Sequence, residues 1–480
     1  MIRAAAAGFD TWESEGVPSF NHTAARIEKV FGPLRTAVVI LEGDQQRVCL
    51  VAPNLIADSP GLYRLFQQVV GKAAGIEASQ VVVFHSHNHT APKMSDEPPE
   101  AEWSEIDADA PFRLLPVGEQ FFGKLAATVG ALRDRLVPVE VSWAVGQETT
   151  LAYNRKGRRA DGTAYLMREV DRLKLGADYA GDIDTQAPVV RLQDEQGRPV
   201  AFLVQFNAHP ATAYHPEHPW IHGEYPQIAC EMLAGRYRGA WGEPTVAFLQ
   251  GCAGNINSKG LLTGDIERVQ CHGESLGRAY LAAAGRLQPS ASQRFGFARE
   301  VSHVPYGPLP ALTELDRERT EIDDFIRRAQ AGDPDTTECV GLNFPQALTP
   351  PYRAALVSPV QRWNQWAREI QLAGAAGRLP RHLDMEVCVL RIGDVAVAGL
   401  PCEPFREIGV QIRRNSPAPL TIPCGYCNTS FGYVPDSTNI ADRDYNSSFY
   451  RYCKRPQFAP PAGDALAETA VALTRRLFAT

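Results

Sequence analysis

Two periods of apolar residues alternate along this chain. Arg35–Leu41 (RTAVVIL) and Gln46–Ala52 (QRVCLVA) are short runs rich in β-branched residues, and the polar Glu42-Gly43-Asp44 between them predicts a hairpin turn. Gly61–Ala74 and Phe121–Leu132 instead space their apolar residues three and four apart, which predicts helices. A strand is expected at Val139–Val145. A second hairpin is expected from Ala187–Leu192 and Ala201–Asn207, turning at Glu195-Gln196-Gly197. Thr245–Gln250 predicts another strand, Asp265–Leu287 a helix, Met385–Val397 a strand and Gly463–Phe478 a closing helix. Strands interleaved with helices predict an α/β fold of layered mixed β-sheets flanked by helices. Residues 309–380 are charged, Pro-containing and partly helical, and carry Trp363 and Trp366. They predict a packed surface helix pair, with a peripheral subdomain or lid as the alternative.

Several of these strands run into polar clusters. Val81–Phe84 leads straight into His85-Ser86-His87-Asn88-His89. In an extended chain His85, His87 and His89 project to one side, and imidazoles gathered on one face suit a zinc ion. The strand PVAFLVQFNAHP ends at His209, and TVAFLQ runs into GCAGNIN. Asp58 follows the first hairpin. Glu403, in GLPCEPFREIG, lies just past a strand, and Tyr433 lies in GYCNTSFGYVPDS. Strand ends of this kind are where functional groups gather.

Composition narrows the function classes. The chain has 480 residues, 44% of them hydrophobic, and a formal net charge of −7. That balance provides no basic face for nucleic acid or an anionic membrane. Ten cysteines in this length do not make a disulfide scaffold. Cys424 and Cys427 have CxxC spacing, but no second pair completes a zinc ribbon, so cytosolic thiols and a cytoplasmic location are expected. The first residues, MIRAAAAGFDTW, meet Asp10 and Glu13 early and do not read as a signal peptide. No apolar run is long enough to predict a transmembrane helix, and the sequons at Asn21, Asn428 and Asn446 then carry little meaning.

Taken in order, these segments resemble the neutral ceramidase family, zinc-dependent amidases that cleave N-acylsphingosines. His87-Asn88-His89-Thr90-Ala91-Pro92 is similar to the family's TH-x-HSGP motif, and Phe206–Ala211 to its apolar-HPT motif. Glu403, Phe405 and Gly409 are similar to its GE-F motif, and Gly432-Tyr433-Val434 to its GY-[IV] segment. Asn154-Arg155 resembles a family N-R segment, and a further family tyrosine has its match at Tyr445. The resemblance implies a ceramidase-like fold and a zinc ion held by His87, His209, Glu403 and Tyr433. It implies His89 as proton shuttle or oxyanion donor, and Arg155 and Tyr445 as holders of the developing oxyanion. The substrate it implies is a small-molecule or lipid-like amide. Glu224 stands at an SGD-like position of the family, whereas His85 and the cluster His215, His218 and His222 lie outside its pattern.

Two departures shape the mechanism. The family puts forward a serine within G-D-[VI]-S-P; here the segment is Gly254-Asn255-Ile256-Asn257-Ser258, with Asn257 at the serine position. Ser258 is one residue late, and neighbouring side chains of an extended segment face opposite ways. Attack by a metal-activated water is therefore expected. The resemblance runs in order from about residue 7 to the C-terminal helix and implies a ceramidase-like catalytic domain across 1–480, with no C-terminal immunoglobulin-like domain expected. The expectation is a zinc-dependent hydrolase of an N-acyl or peptide-like amide. Two alternatives remain: a metal-dependent ester, lactone or cyclic-amide hydrolase on an amidohydrolase-like barrel, and a catalytically inactive binding protein that keeps the ceramidase fold.

Overall fold

The computed structural model describes residues 1–12, 14–22, 25–56, 59–96, 113–346 and 348–479. Asp58 lies outside them. The main sheet is built from β1 (Arg3–Trp12), β2 (Leu34–Gly43), β3 (Gln46–Pro53), β4 (Val81–Val83), β5 (Val137–Gln147), β6 (Gln186–Asp194), β7 (Pro199–Phe206) and β8 (Thr245–Gln250). Their spatial order is β8-β7-β6-β5-β1-β2-β3-β4, and the short strand Gln288–Pro289 adds to β5. A second sheet runs β9 (Phe295–Pro305), β10 (His382–Ile392), β11 (Val395–Gly399) and β12 (Leu420–Cys424). The sheets are open, which rules out the amidohydrolase-like barrel among the described residues.

The helices are α1 (Pro60–Ala74), α2 (Pro116–Leu132), α3 (Glu169–Leu175), α4 (Glu224–Arg236), α5 (Ile266–Ala284), α6 (Leu312–Gln330), α7 (Pro350–Leu372), α8 (Arg406–Asn415) and α9 (Gly463–Phe478). Buried side chains define four layers. Val39, Leu41, Val48, Leu50 and Leu203 of the main sheet pack against Leu390, Ile392, Val397 and Ile422 of the second. The outer face of the main sheet is covered by α1 and α2 at one end and by α4 and α5 at the other. The outer face of the second sheet is covered by α8 and α9.

Within these two sheets, among the described residues, three pairings are parallel: β3–β4, β7–β8 and β11–β12. A parallel pair needs a crossover, and helices α1, α4 and α8 supply it. The carboxyl ends of these strands are thereby left free to build a site. Isolated bridges Phe84–Cys427 and Gly251–Cys424 then tie the two sheets together at those ends.

Local differences from the sequence reading have physical causes. The first hairpin turns at Asp44-Gln45, both at positive φ (46° and 65°), one step later than expected; a two-residue turn of that hand matches strand twist. The single run 385–397 is two strands, β10 and β11, folded back at Gly393, whose φ is 64°. Helix α2 begins at Pro116, because proline suits a first helical turn. Strand β1 escaped the pattern because RAAAAGFDTW is alanine-rich and weak in β-propensity; its pairing with β2 and β5 fixes it as a central strand.

Residues 309–380 contain α6 and α7, whose Ile322, Phe325, Ala354 and Val357 share one buried cluster. Trp363 is buried between them and the C-terminal segment, and its Nε1 donates to the Arg455 carbonyl at 2.9 Å. Glu318 of α6 accepts two hydrogen bonds from Arg451 at 2.7 and 2.8 Å, with both side chains 3% exposed. Removing one member strands the other charge in the interior. Glu318→Ala is therefore expected to cost about 3–5 kcal/mol of stability. Urea unfolding measures it; a loss below about 1 kcal/mol, the range of an exposed pair, would show that the pair does not anchor the helices.

Candidate metal centre

The histidine segment leaves β4 under unusual constraint. Val83 N–H donates to Asn428 Oδ1 at 3.0 Å, and Asn428 N–H returns to the Val83 carbonyl at 2.6 Å. His87 then adopts φ 62°, a left-handed conformation that is costly outside glycine and persists only where its surroundings enforce it. This kink breaks the alternation. The expectation that His85, His87 and His89 share a face fails for that reason. His85 is fully buried against the Phe66 ring, with centroids 6.1 Å apart, whereas His87 and His89 meet with Nε2 atoms 3.2 Å apart.

His209 arrives from β7. Its backbone N–H donates to Ile256 O at 3.0 Å, and it pairs in parallel with Asn257. Glu403 and Tyr433 arrive together, because Glu403–Pro404 and Tyr433–Val434 form a short parallel bridge just past β11 and β12. The expected ligand types therefore converge on one point. Glu403 Oε2 lies 3.1 Å from His209 Nε2 and 3.3 Å from His87 Nε2. The Tyr433 hydroxyl stands 3.4 Å from His209 Nε2.

The tautomers decide what can sit there. His87 Nδ1 and His209 Nδ1 each lie 3.0 Å from a backbone carbonyl, Ile56 O and Ile256 O. A carbonyl only accepts, so both Nδ1 atoms carry hydrogen, and a neutral ring then presents a bare Nε2. Burial, with the nearby Arg155 charge, pushes His209 down to about 4, so it is neutral at pH 7. A bare nitrogen and a carboxylate oxygen at 3.1 Å both accept, and a cation between them resolves the conflict. His87, His89 and His209 each offer a nitrogen within 4.8 Å of the others, so the geometry also admits His89 as a donor. Backbone carbonyls fixing metal-facing imidazoles are a regular outer feature of such centres.

The remaining site residues surround this point. Arg155, 5% exposed, reaches His209 Nε2 at 3.4 Å and donates to the Gly254 carbonyl at 2.7 Å. Its guanidinium lies over the Tyr433 ring, 5.1 Å from the centroid. Tyr445 packs on Tyr433 at 5.7 Å between centroids, and burial pushes its phenol up to about 12. Burial likewise pushes Tyr433 well above the ordinary phenol value. Asn257 Nδ2 lies 3.4 Å from the Tyr153 hydroxyl, and its buried Oδ1 has no hydrogen-bond partner among the described residues. Ser258 is fully buried and its hydroxyl lies 2.7 Å from Thr212 Oγ1.

Other histidines stand apart from the centre. The His215 and His218 rings pack at a tilt with centroids 4.6 Å apart, while the His222 carbonyl accepts from Asn88 Nδ2 at 2.8 Å and from Thr90 Oγ1 at 2.9 Å. Glu224 is fully buried and accepts from Ala213 N–H at 2.6 Å, so it props the segment that follows His209. An exposed group on β9 and β10, His303, His382 and Asp384, satisfies itself by hydrogen bonds of 2.6 and 2.9 Å to Asp384 Oδ1. Tyr426 was missed by the sequence reading. Its ring lies 4.2 Å from that of His87, and its hydroxyl lies 3.5 Å from Glu403 Oε2. The signal was present, since Tyr426 lies two residues beyond the end of β12, inside the Cys424–Cys427 spacing. Cys427 Sγ instead lies 3.7 Å from Cys388 Sγ.

Comparison with solved structures adds the fold's relatives. The neutral ceramidase from Pseudomonas aeruginosa superposes with a TM-score of 0.65 at 16% identity, over 99% of this chain and 75% of that one. A ceramidase complexed with C2 gives 0.66, with the same identity and coverage. The fold is that of the neutral ceramidases. No family model and no curated protein matches the sequence. The likeness thus rests on the ceramidase-like arrangement of sheets and helices, where the sequence motifs had pointed.

Proposed function

We propose that this chain is a zinc-dependent hydrolase that cleaves the amide bond of an N-acyl or peptide-like substrate, with water as the nucleophile. The observation that carries the reading is the convergence of two bare imidazole nitrogens and the Glu403 carboxylate at the strand ends. Two neutral imidazoles and a carboxylate suit zinc and leave a position open. His87, His209 and Glu403 would hold the ion, with Tyr433 as fourth donor. Such an ion supplies Lewis acidity and makes water nucleophilic at neutral pH. The amide bond is taken from the ceramidases that share this fold. Metal analysis of the purified chain, followed by a screen of amides for hydrolysis, tests the reading. Metal-free protein or an inert screen would sink it.

The chain's own residues then have distinct work. Arg155 supplies a buried positive charge next to the ligand set, where negative charge develops on the carbonyl oxygen, and Tyr445 offers a hydroxyl donor beside it. His89 adjoins His87 and is partly exposed, which suits a group that exchanges protons with solvent. The unpartnered Asn257 Oδ1 offers an acceptor on the same side as His209. All ten thiols are free, which suits a reducing compartment such as the cytoplasm. Among the described residues no helix is long and apolar enough to cross a membrane.

Direct attack by water makes the nearby serine dispensable. Its hydroxyl is bound to Thr212, on the opposite side of the strand from Asn257. Ser258→Ala is expected to keep kcat within about threefold of wild type, because a lost hydrogen bond of this kind costs about 0.5–1.5 kcal/mol in stability and touches no reacting atom. Mass spectrometry of quenched turnover should find no acylated peptide; an acyl group on Ser258 would establish a serine mechanism instead.

A further inference from the structure

A second set of ligand-type side chains stands on the β9–β10 ladder. His303 lies directly opposite Asp384 in the antiparallel register, and His382 comes two residues before Asp384 on the same strand. Positions i and i+2 of a strand share a face, and a directly opposed residue joins them there. His303, His382 and Asp384 therefore project together from one face of an eleven-residue ladder. Their side chains are 46–61% exposed, so a cation reaches them from solvent.

Both imidazoles aim the same atom at one oxygen. His303 Nδ1 lies 2.6 Å and His382 Nδ1 2.9 Å from Asp384 Oδ1, and the two ring centroids are 4.7 Å apart. The hydrogen bonds that satisfy this group also gather its donors: each residue offers one ligand atom within 4.8 Å of the others. A neutral imidazole carries its hydrogen on either nitrogen. In these exposed rings water can solvate an Nε2–H, so Nδ1 is readily freed to face a cation beside the carboxylate. The neighbouring Glu386 is engaged by Arg299 at 2.9 Å and does not compete for the rings. Two imidazoles and a carboxylate are a donor set that suits zinc.

We propose that His303, His382 and Asp384 form a second zinc site, which clasps the stem of the α6–α7 helix pair. Strand β9 ends at Pro305 and β10 begins at His382, with α6 and α7 inserted between them. Pro305 pairs with His382 at the mouth of the ladder, and Tyr306 N–H donates to the Arg381 carbonyl at 2.9 Å just beyond it. An ion held by His303 on one strand and by His382 and Asp384 on the other ties the point where the chain leaves the sheet to the point where it returns. A metal clip that closes so long an excursion removes more freedom from the unfolded chain than one that closes a short turn. The site shares no donor with the candidate metal centre, so the two load independently.

The test loads the chelator-stripped full chain with zinc alone and counts bound ions by equilibrium dialysis at micromolar free zinc. Wild type is expected to bind about one ion per chain more than the double variant His303→Asn, His382→Asn. Both positions are exposed, so the variant should keep the circular dichroism of wild type. The difference between the two chains carries the result; absence of the hydrolytic centre would lower both counts equally and leave that difference intact. Asp384→Asn keeps the side-chain shape but removes the charge, and is expected to weaken the site by at least about 10–100-fold, the loss that even an outer partner of a metal ligand brings. Zinc should also raise the unfolding midpoint further in wild type than in the double variant, because an ion bound only to the folded state stabilises it. Equal ion counts in the two chains would overturn the site. Equal rises in midpoint would overturn the clasp.

Discussion

His209→Ala is expected to strip the metal from the purified chain and to lower kcat/KM by about 10³-fold or more, since metal Lewis acidity contributes several kcal/mol to such reactions. The size of the effect follows from the position of this ring. His209 Nε2 is the atom closest to Glu403 Oε2 and also the one that the Tyr433 hydroxyl and Arg155 approach. Its Nδ1 is locked to Ile256 O, so no rotation can present another donor. Truncation leaves Glu403 with one imidazole fewer and Arg155 nearer to an uncompensated carboxylate. Zinc per chain should fall from about one to near zero. Full retention of zinc would remove His209 from the ligand set. Loss of folded protein would be a different outcome, and Glu403→Gln guards against it, because it keeps the side-chain volume while deleting the anionic donor.

Much of this candidate centre could be read from the chain because each candidate donor follows an apolar strand or a family-like motif. His87 and His89 follow VVVF, His209 closes PVAFLVQFNAHP, and Glu403 stands just beyond β11. Periodicity therefore located the strand ends, and the parallel pairings bring those ends together. What it could not give is the kink at His87. That φ depends on Asn428 and Ile56, which are distant in sequence and unrelated to any local pattern. The same reason explains why His85 joined the group on paper and left it in the structure. Glu403 was legible as a carboxylate near a strand, but its oxygen meets two imidazoles only because β11 and β12 pair in parallel. Tyr426 lies within GYCNTSFGYVPDS, but no local pattern marks it, and tertiary contacts with His87 and Glu403 single it out. At 16% identity, the neutral ceramidase from Pseudomonas aeruginosa shares this chain's fold.

His89→Ala is expected to keep its zinc and to lose about 10²–10⁴-fold in kcat, the range for a missing general acid–base. The ring is the one imidazole of the trio that is partly exposed, and its Nε2 faces His87 Nε2 rather than Glu403. Burial pushes His89 well below the ordinary 6.5. It is therefore neutral at pH 7 and able to accept a proton from attacking water. A base of lowered pKa fails only when acid protonates it, so the acid limb of the kcat–pH profile should lie well below pH 6.5 in wild type and should vanish in the variant. The nitrogen spacing within the trio sets up the opposing outcome. If zinc leaves with the ring, His89 is a third nitrogen donor, and the proton must travel through another group. If kcat and zinc both survive, His89 is structural: its carbonyl receives the Asn21 side chain and its N–H reaches the Pro210 carbonyl, contacts that the alanine variant keeps.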